Sequence, residues 1–410
     1  MQTTLISVNG DRLNQTLSQL AAIGQLSAGG VCRLAYSAED LQARQQVQTW
    51  MEDAGMTVRI DAAGNMIGRY PGQLELPALA TGSHIDTVPT GGRYDGALGV
   101  LAGLEVVRSL HDQRIQLRHP LEVIVFTDEE GGMIGSKAMA GTAPAQAAEY
   151  RRPDGSDIQD CLRQIGGDWS QLHQARRTSA EIAAYVELHV EQGGILEAEG
   201  KQIGIVEGIV SLHRCHITVL GRPNHAGTTP MHRRRDAMVA AAQVVTALND
   251  IAVHTPGGQV ATIGYFNISP NAANIIPGRV EMEADIRDLS EPHIEALIAQ
   301  LQAKITAIAT ATQTEITLER GMTIKPTLAS PAIQAAIAQV CERLQLSACS
   351  MPSRAIHDAQ EIGRFTEMGM IFIPSIAGVS HAEDEYSSPD QCIQGATVLL
   401  QTLLQLDTLM

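Results

Sequence analysis

Apolar positions recur at helical spacing near the start of the chain, and Ser37-Ala38-Glu39-Asp40 resembles a capping box opening a helix that runs to about Gly55. The first 60 residues therefore read as helices. From Thr57 to Tyr70 the pattern shifts to β-favouring residues flanking Ala63-Gly64-Asn65, which predicts a hairpin. Two apolar runs end in polar loops: Leu79–Gly82 leads into Ser83-His84-Ile85-Asp86, and Leu121–Thr127 into Asp128-Glu129-Glu130. Between them, Gly96–Leu110 is a helix rich in small residues, suited to close packing on a sheet. Strand, helix, strand in this order predicts an α/β layer with functional groups at the strand ends.

Near residue 211 the texture changes. His213–Leu220, Val260–Asn267, Arg279–Asp288 and Glu315–Arg320 read as strands, with helices at Asp236–Leu248 and Pro292–Thr310. This β-α-β-β-α-β order is the split, ferredoxin-like arrangement. After Pro326 the pattern returns to helix–strand–helix, with Met368–Pro374 as a buried strand. Residues 211–327 are thus expected to form a small α+β domain inserted into a larger α/β domain made of 1–210 and 328–410. No internal repeat or low-complexity tract is visible.

A length of 410 residues fits two domains. With 44% hydrophobic, 18% charged and 3% aromatic residues, the composition is that of a globular protein whose core is mostly aliphatic. The net charge of -16 argues against nucleic acid, which needs clustered Lys and Arg. Arg233-Arg234-Arg235 is followed at once by Asp236 and reads as a solvated helix start. Apolar runs fall short of the ~20 residues that span a bilayer, so no membrane partner is expected. Six scattered cysteines without a C-x-x-C pair, and no secretory-type N-terminus, point to free thiols in a reducing cytoplasm.

Candidate chemistry gathers on the loops after predicted strands. His84 and Asp86 are two residues apart, so on a strand they share a face and Asp86 can accept the second ring N–H of His84; a chance surface pair is the commoner origin of such a pattern. Asp95 reads either as a helix N-cap or as a carboxylate giving one oxygen to each of two cations. Glu129-Glu130 repel each other unless a metal takes one and leaves the other as a general base. His189, in Glu187-Leu188-His189-Val190-Glu191-Gln192-Gly193, follows the predicted strand Ile182–Val186, and Gln192 is placed to hydrogen-bond a substrate. His225 lies in the polar loop Asn224–Pro230, and His381 in Gly378–Glu383. Each signal is weak alone. Together they supply enough carboxylates and histidines for a two-metal site.

In this order the set resembles the M20 metallopeptidase and aminoacylase superfamily, most closely the branch of N-carbamoyl-L-amino-acid hydrolases, allantoate amidohydrolases and ureidopropionase-like enzymes. The segments that carry the resemblance are Gly82–Val88, Gly91–Gly96, Asp128–Gly131, Glu187–Gly193, Asn224–Met231, Asn274–Gly278, Asp285–Arg287 and His357–Ala359. It covers essentially the whole chain, and Glu-Leu-His-Val-Glu-Gln-Gly followed by Asn-His-Ala-Gly-Thr-Thr-Pro-Met is specific to this branch. It implies a catalytic domain with a mixed sheet flanked by helices and an inserted dimerisation (lid) domain. Two divalent ions per subunit (Zn, Mn, Co or Ni) are implied, one on His84, Asp95 and His189, the other on Asp95, Glu130 and His381. Asp86 would orient His84. Glu129 would take a proton from the attacking water and return one to the leaving nitrogen.

His225, commonly supplied by the partner subunit of a homodimer, would stabilise the oxyanion, worth ~3 kcal/mol for such a donor. Asn274 and Arg287 would hold a substrate carboxylate, and His357 is a further substrate residue. The implied reaction converts an N-carbamoyl-L-amino acid to amino acid, ammonia and carbon dioxide.

Three departures bear on substrate. Gly131 is followed by Gly132-Met133-Ile134 rather than a small residue and Arg-Phe; Ile356 replaces a glycine before His357-Asp358; and Leu212 stands where allantoate-specific relatives tend to carry Gln. Allantoate or ureidoglycolate hydrolysis is the alternative, then aminoacylase or dipeptidase activity. A non-catalytic binding protein is the competing class, against which the intact ligand set and Glu129 argue.

Overall fold

The computed structural model describes residues 6–152 and 154–410. The chain divides into two compact units, Met1–Gly208 with Leu328–Met410, and Ile209–Thr327. Strands β1 (Thr57–Ile60), β2 (Met66–Tyr70), β3 (Ala78–His84), β4 (Leu121–Phe126), β5 (Ile182–Val190) and β6 (Ile203–Ile209) come first. The insertion carries β7 (Ser211–Leu220), β8 (Asn224–His225), β9 (Val260–Ser269), β10 (Ile275–Ile276), β11 (Arg279–Asp288) and β12 (Glu315–Ile324). Strands β13 (Thr327–Leu328), β14 (Ala348–Ser353) and β15 (Glu367–Ile373) follow.

The larger unit is built on a mixed nine-stranded sheet ordered β1-β2-β4-β3-β5-β15-β6-β13, with β14 beside β6. Its centre is parallel: β3 pairs with β4 and β5, and β15 with β5. Parallel strands are covered on both faces, which is why β3 and β4 are buried throughout. The helix Ala97–Asp112 lies so close to the sheet that a Cβ at Gly99 would stand 2.5 Å from the Leu188 carbonyl, and one at Gly103 would stand 2.9 Å from Thr81. Small residues at those positions let the helix backbone approach. With Leu98, Val100, Leu101 and Leu104 fully buried beside them, each large aliphatic contributes about 1.5–3 kcal/mol.

Several local expectations are refined. The hairpin forms with Ile60 opposite Met66. Only half of the capping box does: Ser37 accepts from the Asp40 N–H, but the Asp40 carboxylate turns to the Tyr36 N–H at 2.8 Å. Strand β5 runs on to Val190 instead of stopping near Val186, because β15 pairs with it as far as Ile373–Val190. Glu187 and His189 are therefore strand residues, not loop residues. After Pro326 the chain adds β14 and a short helix, Asp358–Ile362, that the hydrophobic pattern did not reveal.

The smaller unit has the β-α-β-β-α-β order and an antiparallel sheet ordered β12-β7-β11-β9. On β7, Cys215, Ile217 and Val219 are buried while Arg214 is exposed, the alternation of a sheet covered on one face. The helices Ala237–His254 and Glu291–Thr312 supply the cover. Ala237–His254 is long and apolar enough to cross a membrane by length and composition, but its Ala240, Ala241, Val244 and Leu248 stripe packs into this unit's core. Asp236 caps it by accepting from Met238 and Val239. All six cysteines are free thiols.

Candidate metal centre and active site

In the larger unit, His84 ends β3, His189 nears the end of β5, and both rings are almost completely buried. Each has its Nδ1 against a backbone carbonyl, His84 with Asp86 at 3.0 Å and His189 with Val190 at 2.9 Å. Donation from Nδ1 leaves Nε2 directed at Asp95, the tautomer that a ligand needs. The orienting partner of His84 thus differs from expectation: the Asp86 carboxylate stands 3.8 Å from Nδ1, and the Asp86 backbone carbonyl holds the ring. The chain leaves the strand at His84, so the alternation that would have aligned the two side chains ends there. The Asp86 carboxylate instead accepts the Glu130 N–H at 3.2 Å and so fixes the loop after β4.

Asp95 is not a helix cap, since Gly96 holds that position with φ 64°. Its Oδ1 lies 3.5 Å from His84 Nε2 and 3.2 Å from His189 Nε2. Its Oδ2 lies 3.4 Å from His381 Nε2, which is in turn 3.6 Å from Glu130. Each oxygen of one carboxylate thus faces a separate donor set. In both sets, His84–Asp95–His189 and Asp95–Glu130–His381, the donor atoms lie within 4.8 Å of one another. Glu129 stands beside them, 3.6 Å from His84 Nε2.

The electrostatics express the crowding. Burial pushes Asp95 up, but hydrogen bonds from His189, His381 and His84 outweigh it and hold the carboxyl well below its ordinary range. Burial lowers His84, yet Glu129, Asp95 and Asp86 raise it well above the usual imidazole value. His381 is raised to about 9, chiefly by its hydrogen bond to Asp95. Burial and Asp95 lift Glu130 to about 7, against the pull of His84 and His381. Burial also drives Glu129 well above the usual range, opposed by His84 and reinforced by Asp358 and Glu130. Three close carboxyl groups require compensating positive charge. Divalent cations, which bind carboxylates and neutral imidazoles together, fit this donor set.

Gln192, with φ 58°, donates from Nε2 to Asp95 Oδ2 at 2.7 Å, so its amide is tied to the central carboxylate. His357 is buried with its ring centroid 4.4 Å from that of His189 and its Nε2 2.9 Å from Ser353 Oγ. Two buried carboxylates escaped the sequence reading. Glu187 receives Ser83 Oγ–H, Tyr185 O–H and the Ala359 N–H at 2.8, 3.0 and 3.2 Å. The i, i+2 spacing of Tyr185, Glu187 and His189 was its available signal. Glu385 receives the N–H groups of Tyr94 and Asp95, and no local pattern pointed to it.

The remaining candidates lie in the smaller unit. His225 and Asn274 meet at the short β8–β10 ribbon, where Ile275 pairs with His225 and the Ala226 N–H reaches the Asn274 carbonyl at 2.9 Å. Both side chains are exposed. The Gly227 N–H donates to His225 Nδ1 at 3.0 Å, which leaves a donor N–H on Nε2. Arg234 braces this loop through the Thr229 and Ala226 carbonyls. Arg287 sits on β11, its guanidinium on Asp285 at 2.8 and 3.1 Å and its backbone opposite Leu212.

The model of peptidase family M20/M25/M40 matches residues 80–405. The chain belongs to this family. Among relatives of this M20 member, the N-carbamoyl-L-amino acid amidohydrolase of Geobacillus stearothermophilus is 41% identical over 405 residues, covering 97% of this chain and 99% of the relative. The allantoate amidohydrolase of Bacillus subtilis is 35% identical over 413 residues, covering 99% and 100%. A hydantoinase/carbamoylase family amidase from Burkholderia multivorans superposes on the M20 chain with a TM-score of 0.92 at 37% identity, covering 98% of each.

Proposed function

We propose that this protein is a dinuclear metal-dependent amidohydrolase that cleaves N-carbamoyl-L-amino acids to amino acid, ammonia and carbon dioxide, consuming one water. One observation carries the reading: the two oxygens of Asp95 point to two separate donor sets, with the Glu129 carboxylate beside them. Ions held by His84, Asp95, Glu130, His189 and His381 would polarise the ureido carbonyl and acidify water at the site. Glu129, raised by its buried setting, accepts the proton of the attacking water and hands one to the departing nitrogen. Asp86 keeps the Glu130 loop and the His84 ring in place through one side-chain and one backbone hydrogen bond.

His225 offers its Nε2–H to the developing oxyanion, its tautomer set by the Gly227 N–H. Arg287 and Asn274 take the substrate carboxylate, and Gln192 and His357 complete the substrate side of the site. The carbamoyl class is supported by the named Geobacillus relative and by Leu212, an apolar residue directly across the ladder from Arg287. Allantoate is the second reading, supported by the Bacillus relative. A homodimer is supported by β9, an edge strand of the antiparallel sheet that leaves Val260, Tyr265 and Phe266 exposed and can pair with its own copy.

The test is ammonia release from N-carbamoyl-L-amino acids and allantoate, alongside free amino acid released from dipeptides and N-acyl amino acids, using protein stripped by chelator and reloaded with Zn, Mn, Co or Ni in turn. Carbamoyl amino acids should be turned over fastest. Turnover of dipeptides or acyl amino acids alone would rule out the substrate class.

A further inference from the structure

The two donor sets are held in different ways. His84 and His189 ride on adjacent parts of the central sheet and are 2% and 1% exposed. Glu130 and His381 ride on loops; the His381 side chain is 49% exposed and its φ is 52°. Something other than the sheet must keep the second set in register with Asp95.

Glu385 is built for that task. It is 3% exposed and comes from near the C-terminal end, almost 300 positions from Asp95. Its Oε1 accepts the backbone N–H groups of Tyr94 at 3.0 Å and Asp95 at 3.1 Å. Its Oε2 lies 3.2 Å from the Ser380 hydroxyl, which is also 3.2 Å from Asp95 Oδ2. Ser380 precedes His381 directly. The hydroxyl has one hydrogen, and the Glu385 carboxylate can accept it, leaving Asp95 Oδ2 available to a cation. A Cβ at position 92 would collide with the Glu385 carboxylate, so Gly92 leaves the space this carboxylate fills.

We propose that Glu385 is a positioning residue that locks the bridging Asp95 to the His381 loop and thereby sets occupancy of the Asp95–Glu130–His381 position, while the His84–Asp95–His189 position depends on the sheet. This rests on the two-ion reading given above.

The experiment titrates chelator-stripped protein with Mn2+, counts bound metal after equilibrium dialysis, and records the electron paramagnetic resonance spectrum for a spin-coupled pair. Wild type should bind two ions and show coupling. Glu385→Ala should keep the tighter step within roughly threefold while the weaker step loses about 10–100-fold, the range for residues that orient ligands, and coupling should vanish. Glu385→Gln retains an oxygen for the two N–H groups but cannot accept the Ser380 hydrogen on its amide nitrogen, so it should fall between.

Gly92→Ala displaces the carboxylate without removing it and should reproduce the loss; with Glu385→Gln it keeps the test open if the alanine variant does not fold. An unchanged weaker step in these variants, or equal loss at both steps, overturns the assignment of Glu385. A wild type that never shows a coupled pair overturns the two-ion reading instead.

Discussion

The two units hold their candidate functional side chains in opposite settings. In the larger unit, His84, Asp95 and His189 are buried at the end of a parallel sheet, where neighbouring strands and backbone carbonyls dictate ring orientation. In the smaller unit, His225 and Asn274 stand exposed on a two-residue ribbon, and Arg287 leans on Asp285 at the partly open face of an antiparallel sheet. Burial makes electrostatic interactions strong and geometry rigid, but it demands charge compensation. Exposure leaves a group free to meet a substrate, with its final geometry set by what it meets. The proposed function assigns water activation to the first setting and substrate recognition to the second.

The sharpest test of that division is Glu129→Gln, which removes the proposed base with little change in shape. Turnover should fall by about 10²–10⁴-fold while bound metal, measured by elemental analysis, stays constant. Unchanged turnover in metal-loaded protein would end the proposed mechanism. His225→Ala probes the other unit. A loss of about 10²–10³-fold in kcat is expected for one oxyanion donor. Mixing His225→Ala and Glu129→Gln subunits should restore part of the activity if the histidine serves the neighbouring subunit; no recovery after confirmed subunit exchange counts against sharing.

The smallest effect concerns what burial costs the larger unit. Desolvation raises Asp40 to about 6, against Arg44, the Tyr36 N–H and Arg33. Below the unfolded-state value near 4 the carboxyl is protonated in both states and carries no penalty. As pH rises through about 6 the folded protein must ionise a buried group, and that share of stability is lost. Urea midpoints of Asp40→Asn should therefore gain on wild type between pH 4 and 6, and a constant difference across that range would refute the buried-charge account.

Much of this was legible in advance because it is local. The βαβ layer, the hairpin turn at Ala63-Gly64-Asn65 and the alternation of β7 each depend on residues close in sequence. The candidate donors that the structure gathers around Asp95 were named through resemblance to a family, since none of their segments stood out alone. What stayed hidden depends on partners far away. The extension of β5 through His189 is imposed by β15, and the backbone hold on His84 follows from where its strand ends. Glu385 acquires meaning only when its loop meets Tyr94 and Asp95.

Strand β15 lies between β5 and β6 in the central sheet, yet among the described strands it comes last in sequence. The strands of the inserted unit are contiguous in sequence and precede β15, so without β15 the strand β5 lacks its partner on that side. A chain ended between Thr327 and Glu367 would carry the complete smaller unit beside a central sheet without β15, and would lack His381.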